Sequence, residues 1–126
     1  MKAGDPLPAV RTKVSADRMR TLAHLLHDQN PIHLDRESVR RAGMGDRRIN
    51  QGPANLAYVM SMLLAAAPGY RIQALKCRFL GVVREDDLVE AAGVVTSVEA
   101  GQFSCDAWLM NDGAKVVSVT ASLVPR

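Results

Sequence analysis

Aromatic side chains are scarce in this sequence, which has one Trp, two Tyr and two Phe among 126 residues. Proteins that bind nucleic acid by stacking need such rings, and no zinc-finger, recognition-helix or RNA-binding aromatic pattern is present, so no nucleic-acid partner is expected. Cysteine is also rare. Cys77 and Cys105 stand far apart in strand-like segments, which gives neither a disulfide framework nor a close thiol pair, and both are expected as reduced core residues. Long apolar runs are missing, so no segment is expected to cross a bilayer. The residues from Met1 to Pro6 lack the apolar core of a signal peptide, and a cytoplasmic location is the default expectation. No internal repeat or low-complexity tract interrupts the chain, which is read as a single domain over residues 1–126.

What is present suits one globular core. The sequence is 48% hydrophobic and 23% charged, as expected of a folded domain of this length. Its net charge is +3, supplied mainly by arginine, a mild bias toward anionic ligands.

Val10 to Val14 alternates as a short edge strand would. Ser15 is a good N-cap, Asp17 lies in the first turn, and Met19, Leu22, Ala23 and Leu26 share one face, so a helix is expected to about His27. Asp35 can cap a short helix that Gly43 stops. Gly52-Pro53 opens a longer one and Pro68-Gly69 closes it. Between them the residues are apolar on nearly every face, which predicts a buried helix. From Tyr70 the period falls toward two. Strands are expected over Ile72 to Leu80, with a bulge near Ala74-Leu75, then Leu88 to Val98, Phe103 to Met110 and Val116 to Val124. Asn111-Asp112-Gly113 is a hairpin signal. One strand, helices and then four strands argue for an α+β fold with an antiparallel sheet.

The densest polar chemistry lies between the first two helices, in the stretch His27-Asp28-Gln29-Asn30-Pro31-Ile32-His33-Leu34-Asp35. Fully extended, Asp28 and His33 would stand about 17 Å apart, so they cooperate only if the chain turns between them. Pro31 can supply that turn, because it fixes its own φ and pushes Asn30 out of the α region. A carboxylate beside an imidazole is an acid/base couple suited to neutral pH. The same residues are also ordinary turn chemistry, with Asp28 or Asn30 bonding nearby backbone N–H groups. The helical spacing of His24, His27 and Asp28, with His33 beyond, admits a metal-ligand reading as well.

Asp-x-Asn-Pro-Ile-His-x-Asp over residues 28–35, followed by Ile49-Asn50-Gln51-Gly52 and an apolar helix, resembles the MaoC-like (R)-specific enoyl-CoA hydratase and dehydratase family. The resemblance runs from about Ser15 to the C-terminus. Many members have Ala-His where this chain has Asn50-Gln51. It implies a hotdog fold, with a sheet of about five antiparallel strands wrapped around a central helix, and a dimer with a second copy or a related subunit. It implies reversible hydration of a trans-2-enoyl-CoA, or dehydration of an (R)-3-hydroxyacyl thioester, on CoA or a carrier protein. No cofactor or metal is implied, the CoA thioester being the substrate. Asp28 and His33 are the implied proton-handling pair, the Gly52 N–H the donor to the thioester oxygen, and Asn30 an orienting residue. Arg47 and Arg48, beside Arg40 and Arg41, are candidates for the substrate phosphates, and Tyr58 for an acyl pocket. Two rivals remain: a hotdog thioesterase, disfavoured because residues 54–67 carry no carboxylate, and a noncatalytic hotdog subunit or acyl-CoA-binding partner.

Overall fold

The computed structural model describes residues 1–126. In chain order the elements are β1 (Pro6–Lys13), α1 (Ala16–Leu25), a 3₁₀ turn (Pro31–His33), α2 (Arg36–Arg41), α3 (Gly52–Ala66), β2 (Tyr70–Phe79), β3 (Leu88–Glu99), β4 (Gln102–Asn111) and β5 (Ala114–Pro125). The strands form one antiparallel sheet in the order β1-β3-β4-β5-β2, wrapped against α3. This is the expected α+β arrangement.

Alternation places Val89, Ala91 and Val95 of β3 on the helix side with Phe103, Cys105, Ala107 and Leu109 of β4. Val117, Val119, Ala121 and Leu123 of β5 complete that surface, and Val59, Met62 and Leu63 of α3 fill it. Trp108 takes the opposite face, where the Lys115 ammonium sits 5.2 Å from its ring. Both cysteines are free thiols, and burial pushes the Cys105 thiol up to about 11.

Three expectations change. β1 starts at Pro6, earlier than its alternation indicated; Pro8 lies where the register shifts between Leu7 and Val10, and an edge strand tolerates a missing N–H there. The β2 irregularity falls between Ile72 and Ala74, one step earlier than the apolar pattern placed it. The third concerns α3, which is not buried all round: Asn55, Val59, Met62 and Leu63 are covered, whereas Ala57, Ser61, Leu64 and Ala65 are exposed. A single five-stranded sheet can cover only one side of a helix. No helix is long and apolar enough to cross a membrane.

Strands β3 and β4 approach closely at Gly93. A Cβ there would lie 2.8 Å from the Asp106 carbonyl oxygen and 3.2 Å from the Ala107 Cβ. Backbone cannot yield as a side chain can, so Gly93→Ala is expected to destabilise the fold by about 1–3 kcal/mol in urea denaturation.

Candidate active site

The site is built on the end of α1. Its last turn closes as a Schellman motif: His27 N–H donates to the His24 carbonyl and Asp28 N–H to the Ala23 carbonyl. His27 therefore takes a left-handed conformation at φ 53. It is this motif that ends the helix, ahead of Pro31, which instead opens the 3₁₀ turn. Asn30 has two jobs there. Its side-chain oxygen accepts from Ile32 N–H, capping the turn. Its own N–H donates to Asp28 Oδ1 at 3.2 Å. The Asn30 contact to Asp28 is thus made by its backbone, while its side-chain oxygen caps the turn.

The fold back brings the pair together: Asp28 Oδ2 lies 3.3 Å from His33 Nε2, with side chains 35% and 11% exposed. His33 Nδ1 lies 2.7 Å from the Ile49 carbonyl. A carbonyl only accepts, so Nδ1 carries a hydrogen and Nε2 faces the carboxylate. Ile49 N–H donates to the Ile32 carbonyl, which locks its strip of chain beside the turn. Three residues further on, Gly52 begins α3. Gln51, at the cap position, makes no capping bond and sends Nε2 to the Met19 carbonyl instead, leaving its buried Oε1 without a partner. Pro53 has no N–H and Ala54 N–H donates to the Gln51 carbonyl, so in the first turn of α3 it is the Gly52 N–H that has the helix-start character favouring negative charge.

The arginines resolve differently from the expectation. Glu85, 1% exposed, accepts from Arg36 Nε at 2.6 Å and Arg48 Nη1 at 2.8 Å, while Arg48 N–H donates to its Oε1 at 3.1 Å. Arg48 Nε donates to the Leu34 carbonyl. Arg47 Nη1 is shared between the Glu85 carbonyl and Asp87 Oδ1. Arg48 is thus tied to a buried carboxylate, whereas Arg47 commits Nη1 alone and keeps a side chain 44% exposed. Arg40 and Arg41 pair with Glu37 and Asp35. Arg36 and Arg48 hold the Glu85 carboxyl at about 2, well below its ordinary value, against the cost of burial.

Tyr58 is half-buried and lines an apolar cleft of about 300 Å³ between α1 and α3, with Met19, Leu22, Leu25, Ala54 and Asn50. Burial raises its hydroxyl, and Asn50 and Arg18 pull it back. Asn50 Nδ2 donates to Asn55 Oδ1 at 2.7 Å, a buried polar pair at the head of α3. Neither asparagine stood out in the sequence as more than a departure from a motif or a break in a helix. Glu85 carries no signal beyond its place in the charged run Arg84–Asp87 between two strands. No three His, Cys, Asp or Glu side chains converge, and His24 and His27 lie exposed, so the metal-ligand spacing does not become a cluster.

The model of the MaoC like domain family matches residues 2–108. Among solved structures, the chain is similar to the (R)-hydratase from A. caviae involved in PHA biosynthesis, at 20% identity and a TM-score of 0.91 over 100% of this chain and 98% of that one. It is similar to R-hydratase PhaJ1 from Pseudomonas aeruginosa, at 18% identity and a TM-score of 0.88 over 99% and 82% of the two chains. A chain of the ChsH1-ChsH2 complex from Mycobacterium tuberculosis matches at 20% identity and a TM-score of 0.87, covering 98% of each. No curated protein matches the sequence.

Two expectations follow from the site's local physics. His27→Gly removes a left-handed strain from a residue outside the pair, and is expected to raise stability by about 0.5–1 kcal/mol in urea denaturation. Glu85 ionises more readily folded than unfolded. Its contribution to stability is therefore full above its ordinary value of 4.5 and lost as pH falls through about 2. Glu85→Gln is expected to cost about 3 kcal/mol at neutral pH, with its deficit against the wild type shrinking across that acid window in parallel denaturation curves.

Proposed function

This chain belongs to the MaoC-like domain family, and we propose that it hydrates a trans-2-enoyl thioester reversibly, the reverse reaction dehydrating an (R)-3-hydroxyacyl thioester. The observation that carries this reading is the Asp28–His33 pair at 3.3 Å, with Nδ1 of the imidazole tied back to the Ile49 carbonyl. Its hotdog fold, shared with (R)-hydratases, supports the same class of chemistry.

With Nδ1–H committed, Nε2 and the Asp28 carboxylate both present lone pairs. A water seated beside the two atoms, which at 3.3 Å leave no room between them, donates one hydrogen to each and is held with its oxygen free to attack. The oxygen adds to C3 of the enoyl group as one O–H bond breaks, and the pair takes that proton. Electron density shifts from the double bond to the thioester oxygen, giving an enolate opposite the Gly52 N–H. Collapse of the enolate takes a proton from the pair at C2, so the pair ends as it began. Acid and base are properties of the couple here, since dehydration runs the same steps backward.

The cleft beside Tyr58 suits the acyl chain of a CoA or carrier-protein thioester of lipid metabolism. The exposed apolar side of α3 and the open edge at β2 suit pairing with a second hotdog chain, identical or related. A thioesterase is disfavoured, because α3 carries no carboxylate to act on a thioester carbonyl.

Purified protein incubated with a short trans-2-enoyl-CoA is expected to consume the conjugated thioester without releasing thiol. Asp28→Asn and His33→Ala should each lower kcat by about 100- to 10,000-fold, and the double variant should be little worse than either alone. Thiol release would instead support a thioesterase, and inert protein across short, long and polycyclic acyl chains a noncatalytic subunit.

A further inference from the structure

We infer that Glu85 is a positioning residue for His33, tying the two segments that carry the imidazole and its carbonyl acceptor to one point on the sheet. For its kinetic consequence the inference rests on the hydratase reading.

Glu85 lies in the connection between β2 and β3, outside the 28–33 turn, and its carboxylate is fully enclosed. A buried carboxylate demands partners, and this one draws its charged donors from two places only. Arg36 starts α2 three residues after His33, and Arg48 immediately precedes Ile49. Oε1 accepts from both Arg36 Nε and the Arg48 N–H, so a single atom sets the spacing of the two segments. The Arg48 guanidinium closes the bracket, binding Glu85 through Nη1 and the Leu34 carbonyl through Nε. Glu85 N–H donates to the Arg48 carbonyl at 3.0 Å, and Asn50 N–H to the Val83 carbonyl at 2.7 Å, so the strip 48–50 also pairs with the sheet connection. From there two bonds join the segments, Ile49 N–H to the Ile32 carbonyl and His33 Nδ1–H to the Ile49 carbonyl. Loosening Glu85 leaves the second to be aligned by the first alone.

An exposed ion pair of equal charge offers the control. Arg11 and Glu90 pair at 2.7 Å across β1 and β3, with side chains 73% and 37% exposed, and such pairs contribute little.

The test combines ring-nitrogen NMR with kinetics on Glu85→Gln, Arg36→Lys and Glu90→Gln. In the wild type and Glu90→Gln, His33 is expected as a single Nδ1–H tautomer. In folded Glu85→Gln a mixture of tautomers should appear, and kcat on a trans-2-enoyl-CoA should fall by about 10- to 100-fold, as a displacement near 1 Å costs. KM should stay within about twofold, because the substrate's own contacts remain. Arg36→Lys keeps the charge but loses the Nε bond, and should shift tautomer and kcat in the same direction by less; it decides the matter if Glu85→Gln does not fold. Wild-type tautomer in a folded variant, or a rise in KM with kcat unchanged, would overturn the positioning role. A wild type that turns over no enoyl thioester would sink the hydratase reading alone, since the tautomer is read without substrate.

Discussion

The hydrogen bond at one imidazole nitrogen sets which nitrogen carries the proton, and in this protein the Ile49 carbonyl makes that bond. That single bond has long consequences. The carbonyl must come from chain that passes beside the 3₁₀ turn, so residues 48–50 have to lie between that turn and the β2–β3 connection. They are fastened on both sides, to Ile32 and Leu34 on one and to Val83 and Glu85 on the other. The next residues then launch α3, so the acid/base pair and the helix start are neighbours by chain continuity. Both depend on where one short strip is laid down.

Charge is organised by the same constraint. The chain is basic, and the arginines on either side of the Gly43–Asp46 loop look available for an anionic ligand. Folding gives each a carboxylate partner. Glu85 takes Arg36 and Arg48, Asp87 takes Arg47, and the short α2 pairs Arg40 with Glu37. A guanidinium near a buried carboxylate gains more from that partner than from water, because the local dielectric is low. The arginines therefore act as braces for the frame of the site.

The exposed side of α3 expresses a limit of geometry. The sheet curls over one face of the helix, and α1 and the turn region cover only its beginning. Apolar side chains such as Leu64 remain at the surface together with the free edge of β2.

Much of the fold was legible in the chain because its causes are local. Ser15 and Asp35 cap the helices they precede, Asn111-Asp112-Gly113 turns β4 into β5, and the change of period at Tyr70 marks the start of the sheet. The Asp28–His33 pair was also legible, since both residues belong to one short turn. What the sequence could not determine is which distant group each arginine meets, or which face of α3 is left bare. Arg36 and Glu85 are 49 residues apart, and residue types alone do not choose between water, substrate and such a partner. Local patterns are set by sterics and hydrogen bonds within a few residues, whereas the fate of a charge depends on what the packed fold encloses beside it. The sequence therefore determined the elements and the Asp28–His33 pair; the tertiary structure decided what holds that pair in place.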